Sequence, residues 1–118
     1  MILPSCLAAL LLPFASSTVP AMSDLPDALT LEVRQQGDTL EIQLIGDSPR
    51  TQQVSYLLEV TGQSSSRHRG KTTLAAHART VLSTVRTTPG KSWCVRLLAE
   101  EEGREPYEIL EGSCDAEG

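Results

Sequence analysis

Short runs in which apolar and polar side chains alternate, each closed by turn residues, constrain this chain more than any other feature of its sequence. The clearest is Lys91-Ser92-Trp93-Cys94-Val95-Arg96-Leu97-Leu98-Ala99, which holds the only Trp. Side chains two apart share a face of a β-strand. Trp93, Val95 and Leu97 therefore point one way, and Cys94, Arg96 and Leu98 the other. A strand of this kind lines a core on one side and meets solvent or a partner on the other, so it is expected at the centre of a small β-sandwich.

Six further runs read the same way. Leu29 to Arg34 and Thr39 to Ile45 flank Gln35-Gln36-Gly37-Asp38, a turn sequence, and form a hairpin. Gly46-Asp47-Ser48-Pro49 then breaks the pattern, and Pro49 cannot donate to a strand ladder, so the chain is expected to cross to a second sheet. Val54 to Val60 alternates again, with Val54, Tyr56, Leu58 and Val60 inward. Arg67 to Leu74 is polar, and its charged face marks an edge strand, where charge discourages pairing with other chains. Ala75-Ala76-His77-Ala78 is a link with room for one helical turn. Thr80 to Thr87, the Trp93 run, the acidic turn Glu100-Glu101-Glu102-Gly103 and a strand from Tyr107 to Glu111 complete the pattern. Strands recurring every 8 to 12 residues or so predict an all-β fold, an immunoglobulin-like seven-stranded antiparallel β-sandwich. Aromatic residues make up only 3% of the 118 residues, so Leu, Val and Ile must build the core.

Residues 1–21 are a different material. They carry no charged side chain, and Leu7 to Leu12 is an apolar stretch of signal-peptide length, too short to span a bilayer. Val19-Pro20-Ala21 offers small residues for cleavage before Met22, although no Lys or Arg precedes the apolar stretch. Cys6 lies before that stretch instead of after it, which argues against a lipoprotein signal. The expected organisation is a signal peptide over 1–21 and one domain over 22–118, with no membrane insertion once the leader is removed.

Export changes the meaning of the remaining thiols. Cys94 and Cys114 form an even pair, and in an oxidising compartment such a pair favours a disulfide over a metal or redox site. A hairpin closed at Glu102-Gly103-Arg104 sets Cys94 opposite a residue between 112 and 114, on the face away from Trp93, Tyr107 and Ile109. A bridge there would contribute roughly 3 kcal/mol by closing a loop of about 20 residues.

Motifs for catalysis are missing. His68 and His77 are the only histidines, and there is no Gly-x-Ser-x-Gly, no glycine-rich phosphate loop and no His-Glu-x-x-His. The expectation is a non-enzyme without metal or cofactor. A net charge of −5 and a single Phe disfavour nucleic acid as a partner. Charge is nonetheless unevenly placed. Arg67-His68-Arg69-Gly70-Lys71 gathers cations, Arg79 and Arg86 lie further along, and acids cluster at Glu100 to Glu105 and the C-terminus. One basic strand on an acidic chain can attract an acidic partner at short range, or simply protect an edge.

Tyr56-Leu57-Leu58-Glu59-Val60, the loop into Ser64-Ser65-Ser66-Arg67 and Gly70, Thr80-Val81-Leu82-Ser83-Thr84-Val85, Trp93 and Pro106-Tyr107 together resemble the CsgH branch of the CsgC-like curli chaperones. The resemblance spans about Leu29 to Glu111 and rests on spaced strand positions. It implies a periplasmic, immunoglobulin-like sandwich of a Gram-negative bacterium, expected to be a monomer. Such a protein works without ATP or cofactor and holds the amyloid-forming curli major subunit, CsgA, in a non-amyloid state by transient, charge-guided contact. Clustering then selects Arg67, Arg69 and Lys71 as client-binding residues, with Arg79 and Arg86 as second choices. Some members carry a Cys-x-Cys pair, whereas this chain reads Cys94-Val95-Arg96, which argues against thiol chemistry of that kind. The competing reading is a structural or adhesive immunoglobulin-like module at the cell surface.

Overall fold

The computed structural model describes residues 26–114. The expected leader, its cleavage before Met22 and Cys6 lie outside the described residues. The chain runs through seven strands in order: β1 (Leu29–Gln36), β2 (Thr39–Gly46), β3 (Gln52–Thr61), β4 (Ser65–Leu74), β5 (Thr80–Thr87), β6 (Cys94–Glu101) and β7 (Tyr107–Gly112). Their pairing is antiparallel throughout, in one sheet ordered β1-β2-β5 and another ordered β4-β3-β6-β7. This is the expected all-β, immunoglobulin-like sandwich. β6 lies inside the larger sheet and β4 at its edge, as the alternation and the charge pattern predict.

Alternation sorts the side chains as the sequence leads one to expect. Leu40, Ile42 and Leu44 of β2 are fully buried, and Val54, Leu58 and Val60 of β3 meet Val95, Leu97 and Ala99 of β6 from the same sheet. Leu58 sits directly opposite Leu97, and Val60 opposite Val95. Trp93, Tyr107 and Ile109 pack at the margin of this core. Burial of aliphatic area supplies most of the driving force for such a domain. The smaller sheet is less regular, because a bulge between Leu44 and Ile45 leaves Leu82 without an opposite residue and shifts the pairing of Ile45 and Gly46 with β5.

Turns hold the two layers in register. Gly37, between β1 and β2, takes a φ of +59°, open to glycine without strain. The link from β4 to β5 contains no helical turn. Ala76 makes a parallel bridge with Ser48, the His77 N–H donates to the Ser48 carbonyl at 2.7 Å, and His77 adopts a φ of +61°. The bonds of this link thus go to the β2–β3 crossover and not to a local helix. The acidic turn is also shorter than expected, because Glu100 and Glu101 continue β6 and only Glu102 onward turns.

Candidate functional site

The even and odd positions of β4 divide cleanly. Arg67, Arg69, Lys71 and Thr73 are exposed on the outer face of the four-stranded sheet, while His68, Gly70 and Thr72 alternate with them at half-buried positions. Gly70 lies opposite Tyr56, and a Cβ at Gly70 would come within 2.4 Å of the Tyr56 ring and hydroxyl. The missing side chain therefore lets Tyr56 lie across the edge strand and pack against the core.

The three β4 cations share a face but not an environment. Arg67 pairs with Glu59 at 3.1 Å, and Glu59 also receives Arg96 at 3.0 Å, which in turn binds Glu108 at 2.5 Å. This ladder of alternating charge crosses all four strands. Its two carboxylates, Glu108 first and Glu59 second, raise the pKa of the Arg96 guanidinium above the ordinary value. Arg69 and Lys71 make no ion pair among the described residues. They stand beside a hollow of about 610 Å³ whose floor includes Leu57 and Leu98 and whose far side is Glu100 and Pro106. Leu57 and Leu98 are direct cross-strand neighbours, and Arg69 lies opposite Leu57 in the same row.

Arg79 and Arg86 are not brought to this face. Arg86 lies on β5, and Arg79 immediately precedes it, in the other sheet. There Arg79 binds Glu32 at 2.8 Å and Arg86 binds Glu41 at 3.2 Å. Linear spacing could not separate them, because the β4–β5 link carries the chain from one layer to the other. His68 contacts Ser66 within β4, and His77 lies in that link. Among the described residues no group of three or more His, Cys, Asp or Glu is placed to hold a metal ion, and no helix is long and apolar enough to cross a membrane.

Cys94 and Cys114 form a disulfide, with their Cα atoms 4.9 Å apart. Cys94 is opposite Gly112 in the β6–β7 ladder, so the bridge closes just beyond the last ladder pair. The register argued from the turn at Glu102-Gly103-Arg104 is the observed one.

The opposite end of this hairpin holds a polar cluster that composition did not reveal. The Glu101 side chain is only 4% exposed. Its carboxylate accepts the Ala28 N–H at 2.8 Å, the Tyr107 hydroxyl at 2.5 Å and the Gln52 amide at 3.3 Å, with Arg104 at 3.7 Å. Tyr107 in turn accepts the Leu29 N–H at 3.1 Å. Arg104 also binds Asp27 at 3.0 Å and lies over the Tyr107 ring, 4.7 Å from its centroid. Burial, and then the bond to Glu101, raise the pKa of the Tyr107 phenol well above 10. The cluster fastens the start of β1 to β6 and β7. It is a joint between layers, in which the groups around the carboxylate act as donors.

No protein-family model matches the sequence, and a search of curated proteins gives no match. Solved structures do match. The E. coli curli protein CsgC has a TM-score of 0.52 at 15% identity, covering 70% of this chain and 94% of the other. The solution structure of R. palustris CsgH has a TM-score of 0.51 at 20% identity, covering 71% of this chain and 89% of the other. At these identities the likeness is one of fold, and the described domain shares its sandwich fold with these two proteins.

Proposed function

We propose that the protein belongs with the CsgC-like curli chaperones and acts in the periplasm, after export, to delay amyloid nucleation by the curli major subunit. It does so without ATP, metal or cofactor, as a monomer that meets its disordered client transiently. The observation that carries this reading is the pair of cations, Arg69 and Lys71, that make no ion pair among the described residues, on the outer face of an edge strand in a sandwich with the fold of CsgC and CsgH. The Cys94–Cys114 disulfide accords with an oxidising compartment.

Physically, amyloid growth needs free strand edges that accept further copies of the same segment. A folded domain whose edge is charged can approach such a segment without becoming a template for it. Arg69 and Lys71 supply attraction that screening weakens over about 10 Å at 0.1 M salt. Arg67 contributes less, because Glu59 already neutralises it. The test is a thioflavin fluorescence time course of the purified curli major subunit. Substoichiometric amounts of this protein should lengthen the lag, and the effect should shrink as salt rises. An unaltered lag at every ratio would sink the proposal and leave the adhesive module as the better account of the same sandwich.

A further inference from the structure

We infer that the four-stranded sheet extends head to tail between copies of this chain, the β7 edge of one copy pairing with the β4 edge of a second in a weak, reversible assembly. This goes beyond the chaperone reading, whose monomer is the working form, and rests on it only for one consequence: self-association withholds the β4 edge from a client.

Strand direction supplies the first argument. Neighbours in the sheet β4-β3-β6-β7 are all antiparallel, so with four strands its two edges run in opposite directions. A second copy set beside the first in the same orientation therefore meets it through an antiparallel β7–β4 junction, which is the more stable kind of pairing. The sheet β1-β2-β5 has three strands, and its edges run the same way. There the same placement gives a parallel junction.

Charge supplies the second argument. The ladder Arg67, Glu59, Arg96, Glu108 begins with a cation on one edge and ends with an anion on the other. A further copy continues the alternation. Pairing β4 with β4 would instead oppose cations, and β7 with β7 would oppose acids, and like charges directly opposite destabilise a sheet. Both end groups keep surface for a second partner, since the Arg67 side chain is 65% and that of Glu108 41% exposed. Glu111 of β7 is also exposed and makes no ion pair among the described residues. In the smaller sheet the corresponding charges are closed within the molecule, Arg79 on Glu32 and Arg86 on Glu41.

Side-chain facing agrees with the junction. Leu110 lies opposite Arg96 in the ladder, so it shares the outer face with Glu108, as Arg67 and Arg69 do on β4. Setting Glu108 opposite Arg69 of the second copy lays all six residues of β7 against residues 65–70 and keeps the outer faces continuous. Leu110, 48% exposed in the single copy, then lies opposite Arg67, whose aliphatic stem covers it. Six residues a side is a short contact beside the roughly 20 to 30 of a stable interface, so the association is weak. A head-to-tail contact also leaves one free edge of each kind at the ends of the assembly.

Sedimentation equilibrium and amide spectra of the isotope-labelled protein, recorded from about 10 μM to about 1 mM at low salt, test this. The mass should rise with concentration and fall back at about 1 M salt, where screening acts beyond about 3 Å. Concentration-dependent shifts should map to residues 65–70 and to β7, and not to β1 or β5. Arg67→Glu/Arg69→Glu and Glu108→Lys/Glu111→Lys should each weaken self-association about tenfold. An equal mixture of the two variants should restore it, because every junction between unlike copies again joins opposite charges. A monomer mass throughout, shifts confined to one edge or to the smaller sheet, or a mixture of the two variants, each with a dispersed spectrum, that fails to associate would overturn the inference. The fibrillation assay separates the two claims. Wild-type protein that associates through both edges but leaves the lag unaltered keeps the assembly and loses the chaperone reading, and wild-type protein that lengthens the lag while monomeric at every concentration does the reverse.

Discussion

Glu101 continues the inward phase set by Val95, Leu97 and Ala99, and so a carboxylate arrives where an aliphatic residue would otherwise sit. Its position is tolerable because fixed donors surround it. Glu101→Ala would leave the Ala28 N–H and the Tyr107 hydroxyl without their acceptor, and a loss of about 2 to 4 kcal/mol is expected in urea unfolding. Tyr107→Phe should cost about 1 to 2 kcal/mol by the same measurement. The raised phenol pKa also has a pH consequence. The folded state holds the Tyr107 proton more tightly than the unfolded chain, so this contribution is complete below about pH 10 and is lost as pH rises above it. Urea midpoints of the wild type should therefore fall more steeply than those of Tyr107→Phe in that alkaline range. The inward phase was readable from Trp93 onward, but three consecutive acids look like a solvated turn. Only the donors, from Ala28, Gln52 and Tyr107, brought together by the fold, reveal why one of them is buried.

At the scale of elements, the β6–β7 hairpin shows how a turn sets register and register sets chemistry. With the turn at 102–104, Cys94 meets Gly112 and the bridge to Cys114 closes the open end. The double variant Cys94→Ala/Cys114→Ala should lose about 3 kcal/mol in denaturant unfolding, the loop-closure value for this separation. The β3–β4 pair depends on a different fit. Gly70→Ala forces a methyl group into Tyr56, and a loss of about 1 to 3 kcal/mol is expected, measurable as a lowered thermal midpoint. Strand identities and facings were legible because alternation persists over each run. The β4–β5 link was not, since its bonds go to Ser48 and Thr51, far back in the chain. Nor was the outward pairing of Leu57 with Leu98, which requires knowing that β3 and β6 are neighbours and in which register.

For the whole molecule, a net charge of −5 coexists with a face on which two cations remain outside any ion pair among the described residues. The sequence placed Arg67, Arg69 and Lys71 on one face correctly, because they occupy alternate positions of one strand. It could not show that Glu59 pairs with Arg67, or that the crossover after β4 carries Arg79 and Arg86 to the other layer beside Glu32 and Glu41. Of the five candidate cations, folding thus leaves two outside any ion pair among the described residues, and it places an aliphatic patch next to them. The most direct test compares fibrillation lag times of the curli major subunit with wild-type protein, Arg67→Gln, and Arg69→Glu/Lys71→Glu at the same substoichiometric ratio and low salt. The predicted result is a lengthened lag with wild type and Arg67→Gln and a lag close to that of the client alone with the double reversal. Equal delay by all three proteins would contradict the account.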